Sequence, residues 1–126
     1  MAGLKLLTKL EPLTCLKAAW RAAQNQGFSL TPIDEASECF TATKGNVLIS
    51  MLAGPFAPHC VFEIYVAAYR DANEVVLEKN KPWLTTGAKG VRKVNEQAEE
   101  LMREIGSAIE KEGGTILERK EFCLPV

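Results

Sequence analysis

Two hydrophobic periods divide this chain. From Val91 onward, Val91, Val94, Ala98, Leu101, Ile105 and Ala108 recur at three- and four-residue spacing, and Met102 and Ile109 widen the stripe. Glu96, Glu99, Glu100, Arg103, Glu104, Glu110 and Lys111 fall mostly outside it. That pattern predicts an amphipathic helix of about twenty residues, ended by Gly113-Gly114. A shorter helix is predicted from a Thr14 N-cap to about Asn25, with Leu16, Ala19, Trp20 and Ala23 on one face and Gly27 as its stop.

The other segments read as strands. Leu4 to Leu10 is short and apolar and ends at Glu11-Pro12. Phe28 to Ile33, Glu38 to Lys44, Val47 to Ala53 and Cys60 to Tyr69 follow. A turn over Arg70 to Asn73 leads to a strand over Glu74 to Lys79, and Thr115 to Phe122 is the last strand. The predicted order is β-α-β-β-β-β-β-α-β. An antiparallel meander flanked by two helices is an α+β two-layer sandwich. No linker or internal repeat interrupts the 126 residues, so one domain over 1–126 is expected.

Val47 to Tyr69 stands apart. Glu63 is its only formally charged side chain, and the chain's single histidine, His59, lies within it. Gly54-Pro55-Phe56-Ala57-Pro58 breaks it, so it cannot be one membrane-spanning helix. In its second strand Phe62, Ile64, Val66 and Ala68 make one apolar face. Val61, Glu63, Tyr65, Ala67 and Tyr69 make another that is too apolar to be left in water. Cover by the chain itself, by a second copy, or by a ligand would each answer this. Glu63, Tyr65 and Tyr69 are therefore the ligand or interface candidates, with Trp83 as a stacking surface.

Composition narrows the function classes. Apolar residues are 47%, charged residues 25% and the net charge −1. Nothing global draws such a chain to nucleic acid or an anionic membrane. The N-terminus lacks the apolar run of a secretory signal. Cys15, Cys39, Cys60 and Cys123 are dispersed without a Cys-x-x-Cys pair, which reads as reduced thiols in a cytoplasmic protein. They and the lone histidine do not form a metal-ligand spacing, so no metal and no cofactor is expected. Adjacent His59 and Cys60 would point to opposite strand faces, against a nucleophile–base pair.

One charge cluster remains. Lys79, Lys81, Lys89, Arg92 and Lys93 give five cations without an acid, and Thr85-Thr86-Gly87-Ala88-Lys89-Gly90 leads into the long helix. Free N–H groups at such a terminus attract anions, so Lys81, Thr86, Lys89 and Arg92 are anion-binding candidates. The Walker spacing is absent. The sequence thus points to a small non-enzymatic binding module that forms a homodimer through an apolar sheet face. The alternative is a protein that binds a small ligand or an anion such as phosphate or a nucleotide. The balance falls against an enzyme.

Overall fold

The computed structural model describes residues 2–32, 39–44, 60–79 and 87–123, without the side chains of 2, 32, 60, 87–93 and 121–123. The elements run β1 (Ala2–Thr8), α1 (Pro12–Asn25), β2 (Ser29–Pro32), β3 (Cys39–Lys44), β4 (Cys60–Tyr69), β5 (Ala72–Lys79), α2 (Gly87–Lys111) and β6 (Ile116–Cys123). The strands form one sheet in the order β2-β3-β4-β5-β1-β6, with every neighbouring pair antiparallel. The α+β two-layer sandwich is thus the fold. The strand expected over Val47 to Ala53, the Gly54 to Pro58 loop and His59 lie outside the described residues.

The core is the layer between this sheet and the two helices. Strand alternation sends Leu4 and Leu6 of β1, Phe40 and Ala42 of β3, Phe62, Ile64 and Val66 of β4, and Val75 and Leu77 of β5 into it. From α1 come Cys15, Ala18, Ala19, Ala22 and Ala23, and from α2 Val94, Ala98, Leu101, Met102, Ile105 and Ile109. The alanines of α1 bring its backbone close to its neighbours. Trp20 is half-buried and meets Phe40 edge-on, with ring centroids 5.1 Å apart.

Local chemistry explains the element ends. Helix α1 starts at Pro12, so Thr14 is already inside the first turn and caps nothing; Glu11 is the N-cap and makes no side-chain cap bond. Proline's fixed φ and missing N–H suit it to the first helical position. Both helices end in the same closure. Gly27 N donates to Gln24 O and Phe28 N to Ala23 O; Gly113 N donates to Glu110 O and Gly114 N to Ile109 O. These are Schellman motifs, and they require the positive φ that Gly27 (88°) and Gly113 (92°) adopt.

The hairpin between β4 and β5 is tighter than the sequence suggested. Tyr69 pairs with Ala72 across a two-residue turn at Arg70-Asp71, with Arg70 at φ 55°. A turn over 70–73 would have moved every pairing by two residues. The long helix is also longer than expected, because Gly87 to Gly90 are already helical.

Candidate functional site

The two helices pack together against one face of the sheet, and among the described elements none packs on the other. That open face is read directly from the register. Thr41 of β3 stands opposite Glu63 of β4, Glu63 opposite Glu78 of β5, and Glu78 opposite Gly3 of β1. One step along, Cys39, Tyr65, Val76, Lys5 and Lys120 form a row across five strands. Beyond it lie Ala67, Glu74, Leu7 and Glu118. Tyr69 closes the same surface beside Leu7, Lys5 and Glu74.

The face is charged in a divided way. Glu63 and Glu78 are directly opposed and half-buried, an arrangement that repels. Tyr65 relieves part of it: its hydroxyl donates to Glu78 Oε1 at 2.8 Å. Burial, that hydrogen bond and the negative charge of Glu78 together push the Tyr65 phenol up to about 12. The cations lie on the β1–β6 side, each beside a carboxylate: Lys5 is 3.7 Å from Glu74 of β5 and Lys120 is 3.4 Å from Glu118 of β6. Val76, between Tyr65 and Lys5 in the register, is 1% exposed.

Thiol chemistry is disfavoured here. Burial, then the carboxylates of Glu63 and Glu78, raise the Cys39 thiol above its ordinary value. Burial pushes Cys15 to about 11, and its Sγ donates to Leu10 O at 3.5 Å. A thiolate is the reactive form, so neither cysteine is poised as a nucleophile. Among the described residues no group of histidine, cysteine and carboxylate side chains is placed to hold a metal.

Of the sequence candidates, Glu63, Tyr65 and Tyr69 thus share one surface. Glu78 and Cys39 join them without having been anticipated: the two-residue turn sets which β5 residue meets Glu63, and the β3–β4 register places Cys39 opposite Tyr65. Trp83, Lys81 and Thr86 lie outside the described residues. Lys89 and Arg92 are in the first turns of α2, with their side chains undescribed. Nearby, Lys79 Nζ donates to Asn95 Oδ1 at 2.7 Å, and Lys44 Nζ donates to Gln97 Oε1 at 3.3 Å while lying over the Phe28 ring. Both lysines therefore lean toward the early turns of α2 rather than into solvent.

No protein family and no curated protein matches the chain in sequence. Among solved structures, it is similar to a chain of the adenylate sensor from AMP-activated protein kinase, solved in complex with 5-aminoimidazole-4-carboxamide 1-beta-D-ribofuranotide. The TM-score is 0.55 at 11% identity, covering 79% of this chain and 92% of that one. At that identity the likeness is one of fold. No described helix is long and apolar enough to cross a membrane.

Proposed function

We propose that this chain is a single-domain, non-enzymatic interaction module that self-associates through the open face of its sheet. The observation that carries the reading is the placement of both helices on one face, leaving Tyr65, Tyr69, Val61 and Leu7 on the other. The occupant of that face is a second copy. A two-fold interface must be self-complementary, and this face carries the opposed carboxylates Glu63 and Glu78 toward β4–β5 and its cations, Lys5 and Lys120 beside Glu118, toward β1–β6. Face-to-face packing about a two-fold axis that runs parallel to the strands lays each half on its opposite. Free Cys15 and Cys39 suit a reducing cytoplasm.

Sedimentation of the full chain tests this. The expected mass is twice 13.8 kDa, falling to the single value in Tyr65→Lys and Tyr69→Lys. Tyr69 is 39% exposed, so its variant leaves the core intact. A wild-type chain that stays monomeric at high micromolar concentration defeats the proposal.

A second reading keeps a specific observation of its own. Lys44 and Lys79 converge on the early turns of α2, where Lys89 and Arg92 also lie, and their described partners are amide oxygens rather than carboxylates. An anion such as a nucleotide phosphate would be held there. The adenylate sensor of similar fold was solved with a ribofuranotide bound, which accords with that reading.

A further inference from the structure

Away from the open face, a cleft of about 300 Å³ lies between α2 and the β1–β6 edge. Its apolar lining is Leu4 and Met102, which are 7% and 5% exposed. Glu99 and Arg103, one turn apart on α2, and Arg119 of β6 supply its charged walls. Lys5 and Lys120 line it as well; by strand alternation their side chains leave toward the opposite face.

The two arginines are unusual in their surroundings. Arg119 stands opposite Leu6 and so points to the helix side of the sheet. It crosses α2 at Gly106: a Cβ there would lie 2.8 Å from Arg119 Nη2 and 3.3 Å from Cζ. Glycine is a poor residue for the interior of a 25-residue helix. Here it makes the seat that the guanidinium occupies. Among the described residues neither Arg119 nor Arg103 is in an ion pair, although Glu99 stands four residues before Arg103. Arg103 is one turn from Gly106, so both guanidinium groups border the same cleft.

We infer that this cleft binds a phosphate monoester carrying a small apolar body. Two guanidinium groups match the charge and geometry of a phosphate and can each bond it in a bidentate manner. Leu4 and Met102 take the apolar body, and Glu99 accepts a hydrogen bond from a hydroxyl or amine on it. The volume is that of a small-ligand pocket. The site is on the other side of the sheet from the proposed dimer surface and stands or falls separately from it.

Calorimetry and thermal melting of the full chain test this, with inorganic phosphate and phenyl phosphate as probes. Both probes raise the melting temperature, phenyl phosphate more. Arg103→Ala and Arg119→Ala each weaken binding roughly tenfold or more, and Arg119→Lys keeps part of it. Gly106→Ala is the sharpest variant, because it favours the helix while its Cβ displaces Arg119: the chain stays folded and the phosphate response falls. Arg70→Ala, at the far hairpin, leaves the response unchanged. Phosphatidylcholine vesicles with and without phosphatidic acid identify the source. Phosphatidic acid-dependent cosedimentation that requires Arg119 assigns the monoester to a lipid headgroup; its absence, with phenyl phosphate bound, assigns it to a soluble compound. The inference is overturned if neither probe nor phosphatidic acid binds, if binding survives Arg103→Ala, Arg119→Ala and Gly106→Ala alike, or if Lys89→Ala abolishes it as fully as Arg119→Ala does.

Discussion

The Tyr65 hydroxyl reaches diagonally across the β4–β5 ladder to Glu78, 2.8 Å away, while the residue directly opposite Glu78 is another carboxylate, Glu63. The phenol is thus the neutral donor that lets two opposed carboxylates share a half-buried surface. Burial and Glu78 hold its pKa near 12, above the ordinary value of 10.0. The folded state therefore keeps this proton at a pH where the unfolded chain has lost it. Its contribution to stability is full below about pH 10 and declines as pH rises from there toward about 12. Tyr65→Phe should remove that alkaline decline and abolish a phenolate absorbance step near pH 12. Ultraviolet titration of the variant against wild type reads both effects. A Tyr65 phenol that ionises near 10 would remove the argument.

Phe40 is 1% exposed and touches Trp20 edge-on, joining β3 to α1 near the end of the sheet where the strands are short. Phe40→Ala should cost about 3–5 kcal/mol, the usual penalty for emptying a fully buried aromatic site. Equilibrium urea unfolding measures it. The fluorescence of Trp20 should also shift to the red as water reaches the ring.

Much of this fold was legible in the sequence because two periods dominate it. The stripe from Val94 to Ile109 named the buried face of α2, and the Phe62, Ile64, Val66 alternation named the inward face of β4, as burial confirms. What could not be read is set by register and by backbone chemistry. Arg70-Asp71-Ala72-Asn73 looks like a four-residue turn, yet Ala72 and Asn73 are already paired with Tyr69 and Ala68. That two-residue difference decides whether Glu63 faces Glu78 or Asn80. The site was hidden for that reason. The Arg119 seat on Gly106 was hidden for another: it joins positions thirteen residues apart in sequence through a strand and a helix that meet only in the folded chain.

Asn73 shows how the same hairpin is tied to the rest of the domain. Its Nδ2 donates to Leu10 O at 2.9 Å, and the Cys15 thiol donates to the same carbonyl. One oxygen in the β1–α1 connection thus accepts from β5 and from α1. Asn73→Ala should lower stability by about 1 kcal/mol, the net value of a typical hydrogen bond. Amide exchange should quicken first around Leu10 and the start of α1. Exchange that rises evenly across the domain would show that the bond acts through global stability alone.

The closing motif of α2 gives a graded test. At Gly113 a Cβ would meet nothing within 4 Å, so Gly113→Ala is opposed only by the backbone at φ 92°. About 1–2 kcal/mol is expected for forcing an L-residue into that region. At Gly114 the φ is unremarkable, but a Cβ would lie 2.7 Å from Ile109 Cγ2 and 3.1 Å from Ile109 O. Ile109 is fully buried, and its carbonyl accepts the Gly114 N–H at 2.9 Å, so neither atom can yield without disturbing core or cap. Gly114→Ala should therefore cost more than Gly113→Ala, roughly 2–3 kcal/mol. Paired thermal melts rank the two. The reverse order would mean that Ile109 repacks freely, and that backbone conformation rather than crowding sets the junction between α2 and β6.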